Sequence, residues 1–291
     1  MKNLIFCCTL FTALALHAQT TLRYTMASGQ QFKYNSKSTT ETATSAMGQD
    51  MTIHTSLFSV MAMNVESSDA NQCTFTTKLD SCDVKMEPET PGVSDSVISQ
   101  ALKGFLGKRT RIVMSPAGKV LSTAMVDTPD FSNPLLSGLS KSFAKYNEMF
   151  GFLPDKAVKE GDTWTAKRND TTDVGSGSKD TGMMARTGTV YTTTNVTCTL
   201  LRFADTLGHH CAVIGNTYIT KTEGSMTMMG MDMAIDGDGK GKSTMYFDPT
   251  KGMLIASNTK MEMSQNMAVS GQQNMVIPSS TTVTTDMALM P

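Results

Sequence analysis

The sequence predicts a mainly β chain: an antiparallel curved sheet or half-barrel built from two duplicated meanders, with two α-helices packed on its concave face. Three observations lead there. Thr- and Val-rich segments alternate apolar and polar residues with period two. Turn-forming residues punctuate those segments. Three blocks recur in the same order in both halves of the chain.

The alternation is clearest in Phe58, Val60, Ala62 and Asn64 against Ser59, Met61, Met63 and Val65. Phe75, Thr77 and Leu79 alternate with Thr74, Thr76 and Lys78, and Arg111 and Val113 with Thr110, Ile112 and Met114. β-branched and aromatic residues in this pattern mark half-buried strands, about ten or eleven in all. Met47-Gly48-Gln49-Asp50 and Ser270-Gly271-Gln272-Gln273 read as hairpin tips. So does Asp236-Gly-Asp-Gly-Lys-Gly241, which lacks the ligand spacing and closing Glu of an EF-hand.

The first recurring block is a Gly, two polar residues and an aromatic opening a strand: Gly29-Gln-Gln-Phe32 and Gly161-Asp-Thr-Trp164. The second is strand, polar turn, strand, with the turns at Ser67–Ala70 and Asp205–Gly208 and cysteines at Cys73 and Cys211. The third is strand, Pro turn ending in Gly, strand, through Ser115-Pro116-Ala-Gly118 and Asp248-Pro249-Thr-Lys-Gly252. Pro presets φ in such turns and Gly takes their left-handed exit. The halves span about 22–128 and 158–291, joined by a helical segment at about 130–152.

Two amphipathic stretches interrupt the first half. Val97, Ile98, Ala101, Leu102, Phe105 and Leu106 form one apolar stripe, with Ser94 as N-cap. A second helix is expected over 134–150, with Asn133 as N-cap, Pro134 at N1, and Leu135, Leu139, Phe143, Tyr146 and Phe150 on one face.

The N-terminus reads as a secretory signal: Lys2, an apolar run from Leu4 to Leu16, and cleavage after Ala18, leaving one β-rich domain over 19–291. No later segment has the length of a membrane-spanning helix. Losing Lys2 takes the formal net charge from −1 to −2. So balanced a chain has no electrostatic footprint for nucleic acid and no polybasic membrane patch. An exported chain belongs in the periplasm, on the cell surface or outside the cell. Cys73, Cys82, Cys198 and Cys211 remain after cleavage, either as disulfides or as buried thiols. Cys198 and Cys211 face each other only if the hairpin turns at Ala204-Asp205.

Phe152-Leu-Pro-Asp-Lys-Ala-Val-Lys-Glu-Gly-Asp-Thr-Trp164 is the most specific phrase in the chain. It resembles the Leu/Phe-Pro-x-x-x-Val-x-x-Gly-Asp-x-Trp phrase of a family of secreted bacterial β-rich proteins with no assigned activity. The resemblance implies export and a β fold, and no chemistry. The expected architecture is also similar to that of periplasmic lipoprotein carriers, half-barrels under a helical lid; that is fold-level analogy.

Catalytic and metal motifs are not recognisable. No Ser sits in a Gly-x-Ser-x-Gly elbow, and nothing places a partner for His54, His209 or His210. His209-His210 is assigned to a solvated turn. The 25 methionines are the oddest feature, densest at Met226–Met233. Thioethers suit Cu(I), yet they also fill sheets and adaptable apolar surfaces. Because the excess runs along the whole chain, it is assigned to packing, and neither a cofactor nor a metal ligand is called.

The expected function is non-enzymatic binding of an apolar or lipid-like small molecule between helices and sheet, by Leu102, Phe105, Leu139, Phe143, Met229 and Met231. The alternative is a structural or protein-interaction component of the cell envelope, contacting an envelope protein through Thr-rich faces and strand edges. An enzyme would need a cleft of converging polar groups.

Overall fold

The computed structural model describes residues 19–46, 49–88, 99, 102–127, 150–174, 186–228, 231–270 and 274–291. They form one open, curved, antiparallel sheet of 11 strands. The strands are β1 (Gln31–Ala46), β2 (Gln49–Ser68), β3 (Cys73–Glu87), β4 (Arg109–Met114), β5 (Val120–Met125), β6 (Thr163–Val174), β7 (Arg186–Thr206), β8 (His209–Met228), β9 (Met231–Asp248), β10 (Met253–Ser270) and β11 (Met275–Leu289). Their order is β5-β4-β3-β2-β1-β11-β10-β9-β8-β7-β6. Two meanders therefore join through β1 and β11, which pair from Tyr34↔Leu289 to Thr44↔Ser279. That leaves β5 and β6 as the edges.

Period-two alternation sends one residue set inward and the other to solvent. On β2, Ser59, Met61, Met63 and Val65 are buried while Phe58 and Asn64 are exposed. The main core cluster lies at one end of the strands. There Phe75, Ile112, Met114, Leu200, Ile214 and Phe247 are each no more than 2% exposed.

Two segments outside the sheet complete this base. Residues 20–27 thread across it as a strap, burying Leu22, Tyr24 and Met26. Residues 150–158 add Phe150, Leu153 and Val158. The Tyr24 ring stands edge-on to Phe150 at 5.6 Å and to Phe247 at 5.1 Å. The strap is pinned by Thr20 pairing with Val158, by the Tyr24 amide donating to the Pro116 carbonyl (2.8 Å) and by the Thr25 amide donating to the Gly252 carbonyl (3.1 Å). The Leu153 amide donates to the Ala117 carbonyl at 2.9 Å, so residues 150–153 reach the β4–β5 turn beside one sheet edge. At the other edge the Trp164 indole of β6 donates to the Phe152 carbonyl at 3.0 Å, as befits an anchor opening a strand.

Corresponding positions in the two halves make the same contacts. The Gly29 amide donates to the Val65 carbonyl, and the Val65 amide returns to Gln30. Gly161, Leu200 and Asp162 repeat this arrangement, with φ of +83° at Gly29 and +86° at Gly161. The two Pro turns are each closed by their first side chain. Ser115 Oγ accepts the Lys119 amide, and Asp248 Oδ1 accepts the amides of Thr250 and Lys251. Both turns hold the strap.

Asp248 also meets the His209 ring, Nδ1 to Oδ2 at 2.7 Å. Burial raises the Asp248 pKa, but the Lys251 amide, the His209 ring and the Thr250 amide outweigh it and hold the carboxyl below its usual range. A folded-state pKa below the unfolded value, about 3.9, contributes stability above that pH, lost as pH falls through the folded value. Asp248→Ala is therefore expected to cost about 2 kcal/mol at neutral pH, and the gap from wild type to narrow below pH 4. Urea midpoints measured between pH 2 and 7 check this.

Several expectations need correction. The paired helices on the concave face are not part of the described fold: no helix is among its named elements. In the first stretch only Ser99, Leu102 and Lys103 are described with helical geometry. The chain then tightens, the Phe105 amide donating to the Leu102 carbonyl, and Gly107 turns it at φ +73°. Leu106 pairs with Leu79 of β3 instead of continuing the stripe. The second stretch, 134–149, lies outside the described residues, and Phe150 belongs to the base.

Asp236–Gly241 is not a turn; it is the middle of β9. The β7–β8 hairpin turns on Leu207-Gly208 alone, both with positive φ (49° and 79°), which matches the twist of its long strands. That register sets Cys198 opposite Asn216 and Cys211 opposite Ala204, and all four described cysteines are free. His209 is half-buried on Asp248 and not a solvated turn residue, while His210 is exposed beside Asp205.

Candidate functional site

Above the base, the inner face changes character. Cross-strand register arranges its side chains in rows. One row runs Thr194, Thr220, Gly239, Met263, Thr281, Thr42 and Ile53. The next row toward the base runs Val196, Tyr218, Gly241, Met261, Val283, Thr40 and Thr55. Most of these positions are half-buried, unlike the base.

The hydroxyls along these rows satisfy one another. Thr194 shares a hydrogen bond with Thr220 (3.1 Å), Thr42 with Thr281 (3.3 Å), Ser38 with Thr285 (3.0 Å) and Thr192 with Thr222 (3.4 Å). A Thr whose Oγ is engaged by its cross-strand neighbour presents its methyl group, so the rows offer an apolar surface despite their composition. Gly237, Gly239 and Gly241 mark the inner positions of mid-β9, and the neighbouring side chains fold over them. The Met261 thioether lies across Gly241, and Met263 Cγ sits 3.1 Å from where a Gly239 side chain would begin. Glycine inside a strand marks such close approach.

A polar cluster lies between this surface and the base. Asn216 donates to Ser243 Oγ at 2.9 Å, and Tyr218 shares a hydrogen bond with the same oxygen at 2.9 Å. Burial holds the Tyr218 phenol above its usual pKa. Edge strand β6 carries Arg168 and Asp170, joined at 2.7 Å and opposite Thr194 and Thr192. Burial pushes the Cys198 thiol up to about 12, and burial with nearby carboxylates pushes Cys82 and Cys211 to about 11, so these sulfurs stay protonated and inert. Among the described residues, no three of His, Cys, Asp and Glu gather as a metal site.

Of the residues expected to bind ligand, Leu102 and Phe105 are buried (3% and 5% exposed) on the segment that meets β3 at Leu79. Met231 is half-buried on the inner face of β9. Four strands separate β3 from β9 in the sheet. Leu139, Phe143 and Met229 lie outside the described residues. Met261 and Met263, part of the methionine-dense region, were not among the expected ligand residues, although they form a period-two Met pair on a strand facing alternate glycines.

The outer face is charged at mid-strand. Lys37 and Glu41 on β1, Asp236, Asp238, Lys240 and Lys242 on β9, and Lys260 on β10 point to solvent. Glu262 answers two of them, Lys260 at 3.0 Å and Lys240 at 3.4 Å. A lysine on a lipid-facing barrel wall costs about 2–4 kcal/mol at the bilayer midplane. Among the described residues, these mid-strand charges stand where a lipid-facing barrel wall would be apolar. No helix among the described residues is long and apolar enough to cross a membrane.

No family model and no curated protein matches the chain. Among solved structures it is similar to the Neisserial surface protein A, at 6% identity and a TM-score of 0.22, covering 88% of this chain and 96% of that one. It is also similar to an outer membrane channel from Pseudomonas putida F1, at 7% identity and a TM-score of 0.21, covering 92% and 98%. TM-scores this low carry no conclusion about fold or function.

Proposed function

We infer that this is an exported, non-enzymatic binding protein whose curved sheet holds an elongated apolar or lipid-like molecule against the inner face of β7–β11, in the cell envelope or outside it. One observation carries the reading: above a sealed base the inner face remains half-open and is surfaced by Met, Val, Ile and Thr methyl groups, while, apart from the Arg168–Asp170 pair at one margin, the described mid-strand charges stand on the outside. A methionine wall adapts to ligands of varied shape. The Asn216–Ser243–Tyr218 cluster and the Arg168–Asp170 pair supply a few polar groups at one margin, as sites for amphiphiles do. The signal-like N-terminus supports export. The repeated Gly29/Gly161 and Ser115/Asp248 contacts support descent from two copies of one meander.

Titration of delipidated protein with a fluorescent fatty acid tests the reading. Saturable uptake near one ligand per chain is expected. Met263→Lys should weaken it at least tenfold, because an ammonium then stands on the apolar wall. Ile219→Lys, at an outer position 62% exposed, should leave it unchanged. Absence of saturable uptake removes the apolar-ligand reading.

A further inference from the structure

The end of the β8–β9 hairpin farthest from the base concentrates one kind of side chain. Met226 of β8 stands directly opposite Met233 of β9, and Met228 occupies the register position opposite Met231. Met226, Met231 and Met233 share the inner face. Directly opposed side chains on one face have Cβ atoms about 5 Å apart, and i, i+2 neighbours stand side by side, so flexible thioethers at three such positions reach a common point. The outward residues between them are Ser225, Thr227, Asp232 and Ala234; Thr227 Oγ1 donates to Asp232 Oδ1 at 2.7 Å. Among the described residues the methionine side chains of this hairpin therefore lie on one face, at the far end of the inner surface. Met233 is 5% exposed, whereas Met226 and Met231 are half-open. On β10, Met267 stands opposite Ile235, one diagonal step from Met233.

We propose that Met226, Met231 and Met233 form a binding site for a soft monovalent cation, Cu(I) or Ag(I). Neutral thioethers select such ions over Zn(II), Ca(II) or Mg(II), which want imidazole, thiolate or oxygen donors. Among the described residues no carboxylate or imidazole shares its face, so it would discriminate against harder ions. Metal uptake involves no deprotonation, so it persists at mildly acidic pH, where a histidine or thiolate site fails. This inference does not rest on the apolar-ligand reading, because it concerns the hairpin end and not the wall around Met261 and Met263.

Isothermal titration of the full mature chain with Ag(I), a redox-inert stand-in for Cu(I), tests it. One ion per chain is expected, with similar affinity at pH 7 and pH 5. The triple variant Met226→Leu, Met231→Leu, Met233→Leu preserves volume and apolarity, so it should keep the wild-type urea midpoint while losing at least tenfold in affinity. It leaves all four cysteines in place. Full affinity in that variant would assign the ion to thiols and overturn the proposal, as would no stoichiometric binding by the wild type. Should the triple variant not fold, the pH dependence of the wild type decides: Ag(I) affinity unchanged between pH 7 and pH 5 supports thioether ligands, and a loss of tenfold or more at pH 5 assigns the ion to thiolates and overturns the site.

Discussion

Phe247→Ala is expected to lower stability by about 3–5 kcal/mol, a large share of the 5–15 kcal/mol that holds a typical domain. Phe247 is 0% exposed, lies opposite Ala212 and Leu254, and presents its ring to the edge of Tyr24. Truncation opens a cavity where two strands, the strap and the Asp248 turn converge, so little can collapse into it. Phe58→Ala, on the outer face and 48% exposed, should stay within about 0.5 kcal/mol. Urea unfolding of the two variants checks the contrast. A Phe247→Ala cost below about 1 kcal/mol would mean that the base is loosely packed.

The second large effect is at glycines that meet the strap. Gly252 has φ +62°, and a side chain there would run into the Thr25 backbone, whose amide donates to the Gly252 carbonyl. At Gly118, φ +87°, it would run into the Gly151 carbonyl. Gly29 and Gly161 have φ just as positive but nothing within 4 Å. Alanine at Gly29 or Gly161 should therefore cost only the left-handed backbone penalty, about 1–2 kcal/mol. At Gly252 or Gly118 it should cost about 3 kcal/mol or more, because the strap or the 150–153 segment must also move. Equal costs at all four positions would show that the strap contributes little.

The Tyr24 hydroxyl gives a smaller effect of opposite sign. It is buried beside the Gly151 carbonyl without meeting it in hydrogen-bonding geometry, and burial raises its pKa. Tyr24→Phe removes an unsatisfied polar atom and keeps the ring. It should be neutral or stabilise by up to about 1 kcal/mol, readable as a thermal midpoint equal to or above wild type.

Local order was legible in the sequence, and long-range order was not. Alternation separated the two faces of β2, because side chains alternate across a strand, and the fold then showed that the Ser59, Met61, Met63 and Val65 set is the inward one. The Ser115 and Asp248 turns were legible because Pro and Gly act through their own backbone limits. The pairing of β1 with β11 was not, since no local signal says which distant strand closes a meander. Asp236–Gly241 misled because alternating Gly and charge looks like a turn; the methionine side chains that fill the glycine positions come from β10. The apolar stripe ending at Leu106 broke early because Leu106 pairs with Leu79 and Gly107 turns the chain there. Of the candidate site, Met231 was found through methionine density. The threonine rows were missed because their apolar character arises only when neighbouring strands engage the hydroxyls.

Native mass spectrometry of the chain, isolated from its own host without organic solvent, tests the binding surface most directly. The wild type should carry a species of lipid-like mass that chloroform–methanol extraction removes, and Met263→Lys should arrive bare. A wild-type chain that flies bare, under conditions in which a known lipid carrier keeps its lipid, would contradict the account.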